Sequence, residues 1–244
     1  MSGWLCIAGL GPGDEAMLTP AVGQALADAT DVLGYIPYVA RVAARPGLRL
    51  HPSDNREELD RACAALALAT QGARVVLVSS GDPGVFAMAA AVFEAMEGRE
   101  DWQALDVRVL PGITAMLAAA ARAGAPLGHD FCAINLSDNL KPWALIEKRV
   151  RAAAGTDMAM AFYNPRSASR PHTFEQVLQV LCETCEPTRL LVFARAVSTP
   201  HEHLLSVPLC DARPEMADMR TLVIVGSSTT RRVGRFVYTP RSAS

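Results

Sequence analysis

The sequence predicts two α/β domains, the first on a mainly parallel, doubly wound sheet and the second on a mixed one. Three observations carry this. Residues 4–8 and 74–79 are short, almost wholly apolar runs, the second rich in valine, and suit strands buried on both faces. Each opens directly into a glycine-rich turn followed by a helical pattern, the signature of βαβ units. Beyond about residue 112, the runs 190–195 and 202–207 instead follow one another as antiparallel neighbours. The boundary is therefore drawn between 1–112 and 113–244, although no flexible linker marks it.

The elements follow in order. After the first turn, Thr19 and Pro20 read as N-cap and first residue of a helix reaching about residue 29. Residues 31–34 form a short strand, Tyr35-Ile36-Pro37-Tyr38 a loop with two aromatics, and residues 48–51 another short strand. Ser53, Asp54 and Asn55 offer caps for a helix through 69, closed by Gly72. The strand 74–79 leads through Ser80-Gly81-Asp82-Pro83-Gly84 into a helix over 85–96. Residues 106–110 are a strand ending at Pro111-Gly112-Ile113-Thr114, and 115–123 an alanine-rich helix stopped by Gly124. In the second half, strands are expected over 131–136, 158–163 and 221–226, with an edge at 236–238. Helices are expected over 142–154 and 174–185. Arg231, Arg232, Arg235 and Arg241 fall in a terminal tail that either assists the site or stays unstructured.

Composition excludes several classes. Half of the 244 residues are apolar, enough for a well-buried core without disulfides. Twenty-three basic against 25 acidic residues leave no electrostatic footprint for nucleic acid. The N-terminus lacks a signal-peptide pattern and no apolar run reaches membrane-spanning length, so a soluble cytoplasmic protein with no membrane contact is expected. Of the six cysteines, Cys182 and Cys185 form a C-x-x-C, but no second pair completes a zinc site. No metal is expected, and cysteine as a small buried hydrophobe is the better reading.

The first turn, Gly9-Leu-Gly-Pro-Gly-Asp14, invites comparison with a dinucleotide fingerprint, and the spacing argues against it. Asp14 occupies the third-glycine place, where a carboxylate repels a pyrophosphate. No acidic residue ends the second strand either. The turn suits a neutral or cationic ligand, or one approached through backbone groups. A phosphate- or dinucleotide-binding oxidoreductase is thus the weaker alternative, and a non-catalytic binding module a third.

Three blocks stand in fixed order: Gly9-Leu-Gly-Pro-Gly-Asp14, Ser80-Gly-Asp-Pro-Gly-Val-Phe86 and Pro111-Gly-Ile-Thr-Ala115. Together they resemble the tetrapyrrole methylase family, the class III S-adenosylmethionine-dependent methyltransferases, over nearly the whole chain. A closer likeness, to a corrin-forming branch of that family, rests on residues 129–138 (His-Asp-Phe-Cys-Ala-Ile-Asn-Leu-Ser-Asp) and Pro142-Trp143 with Ile146-Glu-Lys-Arg149. Phe162-Tyr-Asn-Pro-Arg-Ser167 and Arg170 complete it.

The resemblance implies a homodimer of two-domain subunits with S-adenosylmethionine in a cleft between the domains. Carried onto this chain, it implies donor contacts at Pro12, Ser80, Gly81, Asp82, Val85, Phe86, Thr114 and Ala115. Second-domain contacts are implied at Tyr163, Asn164, Ala196 and Leu222. It implies methylation of the 17 carbon of precorrin-3B with ring contraction to precorrin-4, a step of cobalamin synthesis. Another corrin-pathway methylase acting at a different ring carbon is the alternative within the family. The donor, with its sulfonium, ammonium and carboxylate, tolerates Asp14 and Asp82; Asp82 before Pro83 also suits a plain turn-former.

Contraction moves protons, and His129 and Asp138, at turns flanking the strand 131–136, are the acid–base candidates. A solvated His129 and a helix-capping Asp138 are the plainer roles for those two side chains. A substrate bearing many acetates and propionates calls for cationic side chains, for which Arg166, Arg170, Lys141 and Arg195 are the candidates. The plainer reading of each is a solvated surface charge.

Overall fold

The computed structural model describes residues 3–54 and 57–242. The chain divides into two compact units, Met1–Thr114 and Ala115–Ser244.

The first unit runs β1 (Trp4–Gly9), α1 (Pro20–Asp28), β2 (Asp31–Tyr35), α2 (Ile36–Val39), β3 (Arg49–Ser53), α3 (Glu58–Thr70), β4 (Arg74–Ser79), α4 (Met88–Met96), α5 (Glu100–Gln103) and β5 (Asp106–Leu110). Its strands form one sheet in the order β3-β2-β4-β1-β5, every pair parallel. Alternation along the strands explains why β1 and β4 are apolar throughout. Leu5 and Ile7 of β1 and Val75 and Leu77 of β4 face a core with α3 and α4. Cys6, Ala8, Val76 and Val78 face the opposite core with α1. The connections leaving the adjacent strands β1 and β4 thus go to opposite faces, opening a crevice at their carboxyl ends.

The second unit runs α6 (Ala115–Ala123), β6 (Gly124–Ala125), β7 (Phe131–Asn135), α7 (Trp143–Gly155), β8 (Ala159–Tyr163), α8 (Thr173–Thr184), β9 (Leu190–Arg195), β10 (His203–Pro208), β11 (Thr221–Val225), β12 (Arg231–Val233) and β13 (Phe236–Tyr238). A mixed sheet takes the order β10-β9-β11-β8-β7: β7 and β8 are parallel, the other pairs antiparallel. Phe174, Val177 and Leu181 of α8 and Ile146 and Val150 of α7 are wholly buried against it. Each such side chain contributes about 1.5–3 kcal/mol of apolar burial. Among the described residues, no helix is long and apolar enough to cross a membrane.

Several expectations are corrected. The helix expected from residue 85 starts at Met88, because Phe86 is left-handed (φ +54°) and Ala87 is extended. Ser53 and Asp54 do not cap α3, whose N-cap is Glu57 with no side-chain bond. Instead Ser53 Oγ accepts from Arg61 Nε at 2.7 Å, and the Asp54 carbonyl accepts from the same guanidinium; Asn55 lies outside the described residues. The loop at Tyr35–Tyr38 contains the short helix α2, with Pro37 in its first turn. Arg231, Arg232 and Arg235 belong to an ordered hairpin rather than a tail. Gly234 (φ +55°) opens its two-residue turn, and β13 also pairs with β6.

Candidate active site: two strand-end rims

At the carboxyl rim of the first sheet, three glycine turns converge. Gly11 and Gly81 exchange backbone hydrogen bonds, N to O at 3.2 Å and 2.9 Å, so the turns after β1 and β4 are paired. Gly9 and Gly112 lie against the same Gly81 carbonyl. A Cβ on Gly9 would sit 2.4 Å from that oxygen and one on Gly112 at 2.2 Å, so neither position admits a side chain. The Asp82 carboxylate ties the rim together: Oδ1 accepts from Gly84 N–H at 2.8 Å and Oδ2 from Gly112 N–H at 3.1 Å. This charge therefore holds the second turn to the third. Asp14 is local too; its Oδ1 accepts from Ala16 N–H at 2.9 Å and caps the short helix Glu15–Met17.

No α-helix starts directly at the first two turns, whereas the third, 111–114, runs straight into α6 at Ala115. Residues 10–19 separate β1 from α1, and 80–87 separate β4 from α4. At those two turns the cradle lacks the abutting helix N-terminus that phosphate binding exploits. Its walls are main-chain groups, a fit for an uncharged or cationic ligand held through the backbone. Phe86 is half exposed beside it, and the Ser79 hydroxyl just beneath is buried with no partner among the described residues.

The second unit has a rim of different character. Tyr163 ends β8, Arg195 ends β9 opposite Thr221 of β11, and the Ala196 N–H donates to the Arg220 carbonyl at 2.8 Å. Register continues so that Leu222 lies beside Ala194. Tyr163, Asn164, Ala196 and Leu222, spread over 60 residues of sequence, therefore share one sheet end. The Tyr163 hydroxyl accepts from Met116 N–H at 3.1 Å in the first turn of α6, two residues after the buried Thr114. Asn164 (φ +52°), Ala196 (φ +47°) and Ser198 (φ +62°) are all left-handed. Such strain costs about 1–3 kcal/mol per residue, least for Asn. The Ser198 hydroxyl is buried without a partner among the described residues.

The same rim gathers Asn135, Asp138, Asn164 and Arg170. Asn164 Nδ2 donates to Asn135 Oδ1 at 3.1 Å, which also accepts from Ser137 N–H at 2.9 Å. Asp138 Oδ1 stands 3.8 Å from Arg170 Nε. His129 is elsewhere: it precedes β7 whereas Asp138 follows it, and the five-residue strand between them is itself ~13 Å long. The structure does not bring the two acid–base candidates together. His129 is exposed, with Asp130 at 3.8 Å from its Nδ1.

The basic candidates divide. Arg170 is buried; its guanidinium donates to the Asn164 carbonyl at 3.2 Å and the Leu136 carbonyl at 3.4 Å, clamping two loops. Arg195 is paired with Asp218 at 2.8 Å. Among the described residues, Arg166 gives only Nε, to the Pro171 carbonyl at 3.1 Å. Lys141 is half-buried, and burial, aided by Arg149, pushes its ammonium pKa down.

The sequence profile of the tetrapyrrole (corrin/porphyrin) methylases matches residues 5–212. The chain belongs to the tetrapyrrole methylase family. A precorrin-3B C(17)-methyltransferase of Sinorhizobium sp is 48% identical to it over 247 residues, covering 99% of this chain and 97% of that protein. The cobalamin biosynthesis protein CobIJ of Mycobacterium tuberculosis is also 48% identical, over 95% of this chain, which spans about half (46%) of that longer protein. The crystal structure of the methyltransferase CobJ superposes with a TM-score of 0.96 at 67% identity, covering 98% of this chain and 100% of that one. The cobalt precorrin-4 methyltransferase CbiF, at 21% identity and a TM-score of 0.73, shares the fold.

Within this tetrapyrrole methylase, sequence reasoning missed three rim groups. Arg41 reaches the first glycine turn from the segment after α2, and Ser79 and Ser198 are the buried hydroxyls without partners. Only Arg41 left a signal, as a basic residue shortly after a strand's carboxyl end, where ligands of open α/β sheets bind. The serines look like any strand end or loop.

Proposed function

We propose that this methylase transfers a methyl group from S-adenosylmethionine to C(17) of precorrin-3B, with ring contraction to precorrin-4, in cobalamin synthesis. The observation that carries the reading is near-full-length likeness to a C(17)-methyltransferase, combined with a cradle whose walls are backbone. When bound, S-adenosylmethionine supplies a methyl on a sulfonium, activated for in-line displacement by an electron-rich ring carbon. Pro12, Ser80, Gly81, Asp82, Val85, Phe86, Thr114 and Ala115 would hold it in the first set, and Tyr163, Asn164, Ala196 and Leu222 in the second. The close packing of Gly9 and Gly112 against the Gly81 carbonyl supports this, because it leaves no room for side chains and fixes the main-chain path of the three turns. The task left to these residues is positioning and exclusion of water.

For the proton movements of contraction, the reading assigns Asp138, half exposed at the asparagine rim and oriented by Arg170. His129, at the far end of β7, stands as the second acid–base candidate. Lys141 and Arg166, whose cationic groups are the less committed ones, take substrate carboxylates. Arg170 and Arg195 act on protein partners first. A homodimer acting in the cytoplasm belongs to the same reading; light scattering and cell fractionation measure those parts.

The deciding experiment incubates the protein with isotope-labelled S-adenosylmethionine and either precorrin-3B or its oxidised hydroxylactone form. The expected product carries one added labelled methyl. No methyl gain from either tetrapyrrole overturns the assignment. A parallel arm with cobalt-factor III is warranted, since a probable cobalt-factor III C(17)-methyltransferase of Salmonella typhimurium is 38% identical over 97% of this chain.

A further inference from the structure

The first glycine turn is badly equipped to hold its own shape. Gly9, Gly11 and Gly13 are the residues with the most backbone freedom to lose, and Pro12 between them has no N–H to close a turn. Gly11 sits at φ +67°, which only glycine adopts without strain. One side of the turn is tied by the Gly11–Gly81 bridge. The other side faces Arg41, which follows the short helix α2.

Arg41 donates from Nη2 to the Leu10 carbonyl at 2.5 Å and from Nη1 to the Gly11 carbonyl at 3.2 Å. A longer contact, 3.4 Å, runs from Nη2 to the Gly13 carbonyl. Three carbonyls in a four-residue span thus converge on one planar fork. Guanidinium suits this because its donors are fixed relative to one another, whereas an ammonium is a single point of charge. Charged donors also make the stronger hydrogen bonds. The side chain is half-buried, and burial lowers its pKa, with Tyr38 and Glu15 opposing that effect.

We infer that Arg41 is the positioning residue of the methyl-donor turn, fixing the carbonyls of Leu10, Gly11 and Gly13 so that the cradle is formed before the donor arrives. It touches no reacting atom. Its effect falls on donor affinity, because ordering a glycine turn beforehand removes an entropy cost from binding. The inference rests on the reading of the cradle as the S-adenosylmethionine site.

The test uses the full chain with Arg41→Ala, Arg41→Gln and Arg41→Lys, the milder variants guarding against a misfolded alanine form. S-adenosylhomocysteine affinity is measured by calorimetry, and KM for the donor and kcat by methyl transfer at saturating tetrapyrrole. Expected are a tenfold or greater loss of affinity and a matching rise in donor KM in Arg41→Ala, with kcat within about threefold of wild type. Arg41→Lys should be intermediate, and millimolar guanidinium should restore affinity to Arg41→Ala alone. Unchanged affinity and KM with a lowered melting temperature would overturn the inference and leave Arg41 a plain structural residue. Wild-type protein that fails to bind S-adenosylhomocysteine overturns the donor-site reading itself, and this inference with it. Wild-type binding with indifferent variants overturns the inference alone.

Discussion

The two rims solve the same problem with different materials. In the first unit, the ends of β1, β4 and β5 meet through main chain. Glycines pack carbonyl against Cα, and the Asp82 carboxylate serves as a cross-link. In the second unit, the ends of β7 and β8 meet through side chains, the Asn135–Asn164 pair with Arg170 beneath it, and left-handed non-glycine residues follow β8 (Asn164) and β9 (Ala196, Ser198). A backbone wall presents the same groups whatever the residues beside it, and suits a ligand shared across a family. A side-chain wall changes with each substitution, and suits the part of the reaction that differs between members. The contrast teaches where donor contacts run through main chain and where donor contacts and substrate choice share a side-chain wall.

The comparison breaks most sharply at Gly112. Gly112→Ala puts a Cβ about where the Gly81 carbonyl already sits, and backbone cannot yield as a side chain does. The expected result is loss of S-adenosylhomocysteine binding by two orders of magnitude or more, with destabilisation of about 2–4 kcal/mol by urea unfolding. Retained affinity would show that the glycine wall is not part of the donor site. Next comes Asp138→Asn in the other rim. Its donor KM should stay within about twofold while kcat for ring contraction falls about 10²–10⁴-fold, the usual range for a lost acid–base group. Equal loss in both parameters would place Asp138 in folding or donor binding instead.

A smaller, pH-dependent effect sharpens the comparison from outside both rims. Asp31, fully buried at the start of β2, would be raised by burial alone. Hydrogen bonds from Arg49, His51 and Thr30 outweigh this and hold its carboxyl at about 2. An unfolded Asp titrates near about 3.9. The folded chain therefore binds fewer protons between these values. The stabilisation is complete above about pH 5 and is lost as pH falls through 4 towards 2; it amounts to about 2 kcal/mol. Unfolding curves at pH 6 and pH 3 should differ by less in Asp31→Asn than in wild type, with donor affinity at neutral pH unchanged. Parallel curves would remove Asp31 as the cause. The smallest expected effect is that of His129→Ala. At the far end of β7 from the asparagine rim, it should leave kcat within about twofold across pH; a large loss would move the acid–base role from Asp138 to His129.

Much of the first rim was legible because its chemistry is written locally. Apolar runs buried on both faces, Thr19 with Pro20, and glycines directly after strands each act within a few residues of themselves. The second rim was legible only in part. Register alone joins Tyr163 to Leu222, and Arg170 reads as a free cation until the Leu136 carbonyl, 34 residues away, is seen above it. The late start of α4 was hidden too, since nothing in Val85-Phe86-Ala87 announces a left-handed phenylalanine. The hairpin β12–β13 was readable in principle from Gly234, but four arginines nearby suggested a tail.

The strand order has a further consequence, for how the chain is made. β1 is synthesised first, yet its neighbours are β4 and β5. Its earliest partner, Arg74, opposes Trp4. At ~5–20 residues per second, roughly 4–14 s pass on the ribosome before that partner exists. Through that interval, a segment apolar on both sides has no sheet to join and invites pairing with other chains. A circular permutant that begins at α1 and returns β1 at the end would remove the wait. Its soluble yield at high expression, set against that of the natural order, measures what an early central strand costs this fold.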